Sequence, residues 1–293
     1  MPDDTEQLTA VGQQIAAAAE RLAAAGVQSP QVDAEWLAAH VLGTTRSGLL
    51  LVDAFDPDQL RRFTDLVSDR ADRIPLQHLT GLAGFRYLEL AVGPGVFIPR
   101  PETEMLAQWA IDQARTLENP VVVELCAGSA AISLSIVDEC PAATVHAVEL
   151  SALAVAWAQR NIDTYGQGRV HLVTGDAADP LVLSDLDGQV DVVVCNPPYV
   201  PEDSAPPPEV ADHDPAMALW GGGADGLDTV RKLVPRIHAL LKPGGWVGIE
   251  HADAQGRSVP AILAAAGGWT DITDNPDLNH RPRFATGRRL MRA

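Results

Sequence analysis

The residues best placed to do chemistry in this chain are Asn196-Pro197-Pro198-Tyr199, which follow the run Val190-Asp191-Val192-Val193-Val194-Cys195. An almost unbroken apolar run of this length reads as a strand buried on both faces. Two prolines cannot donate ladder hydrogen bonds, so pairing stops there and the turn is stiff. Ligands of open α/β sheets bind beyond the carboxyl ends of the strands. A rigid turn at such an end holds the Asn196 side chain and a bare carbonyl over the crevice. The chemistry this suits is chemistry on an amine or amide.

A second constellation lies upstream. Glu124-Leu125-Cys126-Ala127-Gly128-Ser129-Ala130 carries a strand into a small-residue turn and then a helix. Such a turn lets a nucleotide-like ligand approach the backbone closely. With Gly128 as its one glycine it is no GxGxxG, and a dinucleotide pyrophosphate would fit it poorly. About 20 residues on, Glu149 ends the next strand, where a ribose-binding acid belongs; alone it reads equally as a solvated strand-end acid. Asp176 and Ala177 close the third strand, where they either face an adenine ring or form a plain loop.

These residues need a scaffold, and the pattern supplies one. Strands are predicted at 121–126, 144–150, 170–175, 190–196 and 246–251, and helices near 105–117, 129–138, 151–164, 227–241 and 255–266. Strands alternating with helices give a parallel sheet covered on both faces. Late strands near 270–273 and 283–291 suit a closing antiparallel hairpin. Ahead of this, residues 6–25 place Leu8, Val11, Ile15, Ala19 and Leu22 on one helical stripe, and Gly26 reads as its C-cap. A second helix covers 30–40, and a third starts at Asp56-Pro57 and runs towards Arg73. The organisation read is a helical domain over 1–73, a β-hairpin linker over 74–104 rich in Pro and Gly, and a catalytic domain over 105–293. In the linker, Ile98-Pro99-Arg100-Pro101-Glu102-Thr103-Glu104 is too ornate for a spacer, and Thr103 reads as the cap of the following helix.

Bulk composition narrows the classes. With 21 Lys plus Arg against 39 Asp plus Glu, the net charge is −18. Such a chain repels polyanions, which argues against direct nucleic-acid binding. The start, Met1-Pro2-Asp3-Asp4, lacks a signal-peptide plan, and no apolar run approaches ~18 residues, so neither export nor a membrane is expected. Cys126, Cys140 and Cys195 lack CxxC spacing or paired His ligands and read as buried reduced thiols, with no metal site. The expected location is cytoplasmic. The chain is read as a monomer, since no heptad or long edge strand argues otherwise.

A nucleoside turn, a ribose acid and an Asn-Pro-Pro-Tyr turn together resemble the class I S-adenosylmethionine-dependent methyltransferases, with a Rossmann-like, seven-stranded, mostly parallel sheet. Three further stretches, Pro75–Gly81, Gly93–Glu104 and the run from Glu209 to Gly226, resemble the PrmC/HemK family of release-factor glutamine methyltransferases over essentially the whole chain. The resemblance implies transfer of a methyl group from S-adenosylmethionine to the glutamine amide nitrogen in the Gly-Gly-Gln loop of class I peptide chain release factors, leaving S-adenosylhomocysteine. It implies Glu124, Cys126, Ala127, Gly128, Ser129, Ala130, Glu149, Asp176, Ala177 and Asn196 as cofactor-binding residues. Asn196, Pro197, Pro198 and Tyr199 would hold the glutamine, with Asn196, Pro197 and Tyr199 as the catalytic set, and 202–226 would be a substrate-side flap. Where the family's first turn commonly reads Asp-x-Gly-x-Gly-x-Gly, this chain has Glu124, Cys126 and Ala130 at three of the marked positions. Two other readings use the same residues. One is a nucleic-acid adenine amino-methyltransferase, which would need a basic channel, and His280, Arg281, Arg283, Arg288, Arg289 and Arg292 form the dense basic cluster. The other is a catalytically impaired cofactor-binding homologue.

Overall fold

Residues 9–291 are described by the computed structural model, and the chain clusters into two units. The first runs to Leu82 and also takes in Pro207–His213. Here β1 (Thr9–Ala10) and β2 (Ala54–Phe55) pair antiparallel beside helices Val11–Ala24, Pro30–Leu42 and Pro57–Ala71. Val11, Ile15, Ala18 and Leu22 share one stripe of the first helix and are buried, as helical spacing requires. The first turn of the predicted stripe, with Leu8, lies outside the described residues. Phe55 and Phe63 stack at 5.1 Å within the same core. Asp56 accepts from the Gln59 N–H at 2.7 Å while the Gln59 side chain accepts from the Asp56 N–H at 3.0 Å, a capping box that starts the third helix ahead of Pro57. The unit ends at Leu82 rather than at residue 73, because Leu76–Thr80 forms a short helix whose Leu76 and Leu79 pack on the helical core. The added segment is held by charge: Glu209 accepts from Arg73 at 2.6 and 2.7 Å and from Arg70 at 3.3 Å, and Arg70 also donates to buried Asp33 at 2.8 Å.

The second unit opens with the two-stranded sheet β3 (Leu82–Phe85) and β4 (Leu88–Ala91). Its main sheet comprises β5 (Val121–Leu125), β6 (Thr144–Glu149), β7 (Val170–Thr174), β8 (Val190–Cys195), β9 (Leu241–Glu250), β10 (Trp269–Pro276) and β11 (Pro282–Arg289). Their order is β10-β11-β9-β8-β5-β6-β7. The pairings from β7 to β9 are parallel, and β11 and β10 close the sheet antiparallel. This is the class I S-adenosylmethionine-dependent methyltransferase fold. Alternation decides the layers: Val122, Val192 and Val194 pack with helices Thr103–Arg115 and Ala131–Glu139, whereas Val123 and Val193 pack with Asp228–Leu240 and Ser258–Ala266. β9 begins at Leu241, earlier than its sequence pattern predicts, because Leu241 pairs with Val190 across a register irregularity. No described helix is long and apolar enough to cross a membrane.

Chain order reverses between β5 and β8, since β5 is followed outward by β6 and β7 before the chain returns to β8. The crevice at such a switch point is where this class of sheet binds ligands.

Candidate active site

A cavity of about 390 Å³ lies at that crevice, within the second unit, a size ordinary for a small-molecule site. Glu124, Cys126, Ala127, Gly128, Ser129, Glu149, Asp176, Ala177, Asn196, Pro198 and Tyr199 all line it. Ala130 and Pro197 are buried and stand outside the lining. The residues that sequence reasoning missed include Phe97, Pro99 and Thr103 from the linker, and Met217, Trp220 and Lys232 beyond the turn. The signal for the first group was the density of Pro and charge around Arg100.

The turn after β5 winds through left-handed backbone at alternate residues: Cys126 at φ +60°, Gly128 at +55° and Ala130 at +64°. Glu149 braces it. Its Oε2 accepts from the Gly128 N–H at 2.8 Å and its Oε1 from the Ser151 N–H at 2.7 Å, which leaves further lone pairs for a ligand's hydroxyls. A Cβ added at Gly128 would meet nothing within 4 Å, so the backbone faces open cavity there. Asp176 is exposed at the rim, with Oδ1 accepting from the Ala178 N–H at 2.9 Å. A bare backbone turn, a buried carboxylate one strand on and a rim acid beside Ala177 fit a nucleoside cofactor of the S-adenosylmethionine kind. Glu124 differs from the expectation in how it is spent. Its Oε2 accepts from the Ser133 N–H at 2.8 Å and from the Ser133 hydroxyl, pinning the helix to the turn. Burial pushes its carboxyl up to about 8 against those hydrogen bonds, so it is largely neutral at pH 7.

The other wall is the turn after β8. Asn196 Nδ2 donates to Thr103 Oγ1 at 3.2 Å, leaving Oδ1 for the cavity. Thr103 was expected to cap its helix, yet Glu102 occupies the cap position, and no side chain caps there. Helix Thr103–Arg115 sits close on β9 because Gly248 faces it; a Cβ there would stand 2.5 Å from the Trp109 ring and 2.8 Å from Leu106. The Tyr199 hydroxyl donates to Glu250 Oε1 at 3.2 Å, and burial with the Glu250 charge raises the Tyr199 phenol, which stays neutral. The backbone beyond Tyr199 is tied down: the Val200 N–H donates to Leu219 at 2.8 Å, the Gly221 N–H to Val200 at 3.1 Å, and Gln255 Nε2 to the Tyr199 carbonyl at 2.8 Å. Cys195 is buried, whereas Cys126, expected buried, is half-exposed on the cavity wall.

Two family models match the chain: the PrmC N-terminal domain over residues 13–81 and the methyltransferase small domain over 87–209. A curated "Release factor glutamine methyltransferase" of Streptomyces coelicolor is 51% identical over 282 residues, covering 95% of this chain and 98% of that one. Proteins of the same name from Mycolicibacterium smegmatis (47%, covering 95% and 98%) and Corynebacterium glutamicum (45%, covering 96% and 99%) are similar over comparable lengths.

Proposed function

The chain belongs to the release factor glutamine methyltransferase family, and on that premise we propose that it methylates the side-chain amide nitrogen of the glutamine in the Gly-Gly-Gln motif of class I peptide chain release factors. The observation that carries the site assignment is Asn196 on the cavity wall with its amide nitrogen engaged by Thr103 and its oxygen left to accept. S-adenosylmethionine, when bound, supplies a sulfonium-activated methyl carbon that the amide nitrogen attacks, the carbon–sulfur electron pair going to sulfur and an amide proton to water.

The chain's own residues do the positioning. Glu149 and the Cys126–Ser129 turn would hold the cofactor's ribose and amino-acid part, and Asp176 and Ala177 its base. Asn196 Oδ1 accepts one N–H of the glutamine amide and a carbonyl of the Pro197-Pro198 turn accepts the other. Because neither proline carries an N–H, no backbone donor competes for those acceptors. Holding both N–H groups directs the nitrogen lone pair along the line of attack. Tyr199, neutral and fixed to Glu250, gives the planar amide a planar wall. No described side chain needs to act as a base, since the methylated amide nitrogen sheds its proton to water.

The test is transfer of labelled methyl from S-adenosylmethionine to a class I release factor. The controls are a release factor whose Gly-Gly-Gln glutamine is alanine and the enzyme variant Asn196→Ala. Labelling absent from the first control and reduced ~10²–10³-fold in the second is expected. Labelling that survives the loss of the glutamine would remove this substrate assignment.

A further inference from the structure

Beyond Tyr199 the cavity is walled by the chain over 214–226, which brings Met217 and Trp220 to the lining. This segment lies backbone to backbone on the Asn196–Tyr199 turn, with Val200 bridged in parallel to Trp220. A Cβ on Gly221 would collide with the Gly226 carbonyl and stand 2.7 Å from that of Pro198. Backbones this close exclude water from the carbonyls between them, which then need a donor from the protein. Gln255 supplies it. Its Nε2 donates to the Tyr199 carbonyl and to the Asp225 carbonyl, each at 2.8 Å, one hydrogen of the NH2 for each.

The amide cannot turn over. Gln255 Oε1 accepts from the Ala252 N–H at 2.9 Å, and a backbone N–H can only donate, so this bond fixes which end is the oxygen. Gln255 is 6% exposed and stands outside the cavity lining. All three of its side-chain bonds go to backbone, and none is left for a ligand.

We infer that Gln255 is a positioning residue for the transfer proposed above: it clamps the end of the Asn196–Tyr199 turn to the end of the 214–226 segment, and so holds the Tyr199 ring and the wall formed by Met217 and Trp220 at the spacing that admits a planar amide. The inference rests on the methyltransferase reading of the site. The clamp acts at one end of the cavity. The turn after β5 is braced by other bonds, from the Gly128 and Ser151 N–H groups to Glu149, and shares no partner with Gln255. At the substrate end, the Pro198 carbonyl against which Gly221 packs is one of the two proline carbonyls open to the second N–H of the glutamine. Releasing the clamp therefore moves an acceptor and a wall for the substrate, and small misplacements of a reacting group cost turnover steeply.

The experiment compares the parent with Gln255→Met, Gln255→Asn and Gly221→Ala. It measures kcat and release-factor KM of methyl transfer, the Kd of S-adenosylhomocysteine by calorimetry, and hydrogen exchange by mass spectrometry with no substrate present. Gln255→Met keeps the length and removes both donors, and should lower kcat ~10–10²-fold. Its S-adenosylhomocysteine Kd should stay within about two-fold of the parent's, as for sites without shared partners. Gln255→Asn carries the amide on a shorter stem, cannot span both carbonyls, and should fall between the two. Gly221→Ala wedges the same contact from the other side and should reproduce the loss of kcat. Exchange over 199–201 and 219–229 should rise about ten-fold in Gln255→Met, while that over 126–133 stays at the parent's rate. An inactive parent enzyme would remove the reading of function, yet the exchange rates still decide the clamp. Gln255→Met at full kcat, cofactor affinity lost in step with kcat, or exchange unchanged over 199–201 and 219–229 would each overturn the inference.

Discussion

At the scale of single residues, the turn after β5 carries strained backbone. Left-handed backbone costs a non-glycine residue about 1–2 kcal/mol, and Cys126 and Ala130 both adopt it, at φ +60° and +64°. Glycine is the usual residue for such backbone, so these departures from the family's glycines leave the conformation in place and load it with strain. Gly128, at +55°, is the member whose Cβ space is open. Gly128→Ala is therefore expected to cost about 1 kcal/mol of stability, a fall of about 2–4 °C in the melting midpoint. Its methyl would also enter the cavity and weaken S-adenosylhomocysteine binding about ten-fold or more, the cost of overpacking a formed site. Calorimetric titration checks the second effect, and unchanged affinity would mean that no ligand passes over this turn. That Asn196, Glu149 and Asp176 line the cavity was legible because each lies at or just past a strand end, and strand ends are written in local pattern. Thr103 and Glu250 were not: Thr103 reaches Asn196 across 93 positions of sequence, and Glu250 reaches Tyr199 across 51, pairings that no local pattern encodes.

At the scale of elements, alternation and helical spacing placed each main strand and helix within a few residues, since β8 and its neighbours are apolar for a single reason, burial on both faces. The segment after Asn196–Tyr199 was harder. Its prolines and acids read as a mobile flap, yet Glu209 is clasped by Arg70 and Arg73, and Pro207–His213 belongs to the helical unit. A carboxylate's partners 136 and 139 residues away leave no trace in its own neighbourhood. Burial alone would raise Glu209, but the hydrogen bonds and charge of Arg73 and Arg70 outweigh it and hold the carboxyl down to about 2. A depressed carboxyl contributes stability above its ordinary value of 4.5 that is lost as pH falls towards 2. Glu209→Gln, which removes the charge and keeps the shape, should raise hydrogen-exchange rates across 207–213 by ~10-fold or more at neutral pH, the worth of a charge-assisted pair. Mass spectrometry of exchange reads this directly, and protection equal to the parent's would show that the segment is held by its prolines instead.

At the scale of the whole molecule, charge was the legible quantity and its distribution was not. Three members of the basic cluster near the end of the chain are spent internally: Arg283 pairs with Asp277, Arg288 donates to the Gly244 carbonyl at 3.0 Å and lies over Trp246, and Arg289 donates to the Leu241 carbonyl. Arg292 lies outside the described residues. What remains at the surface is mostly acidic, and a net charge of −18 repels itself more as pH rises. Two buried carboxyls add to this. Glu124 and Glu250 are raised by burial to about 8 and about 7. A raised carboxyl favours the folded state fully below its unfolded value of 4.5, and that advantage is lost as pH climbs through 7 and 8. His146, His238 and His251 act in the opposite sense, because burial lowers each below 6.5 and their contribution is lost as pH falls past it. The two effects oppose each other below 6.5; above it only the loss from the two carboxyls remains, so the melting midpoint should decline from there towards pH 8. In Glu124→Gln the fall in the melting midpoint between pH 5 and 8 should be visibly shallower, as scanning calorimetry from pH 5 to 9 will read. Parallel curves for parent and variant would mean that Glu124 ionises in the fold without cost, and the account of that carboxyl as a neutral acceptor for Ser133 would fall with it.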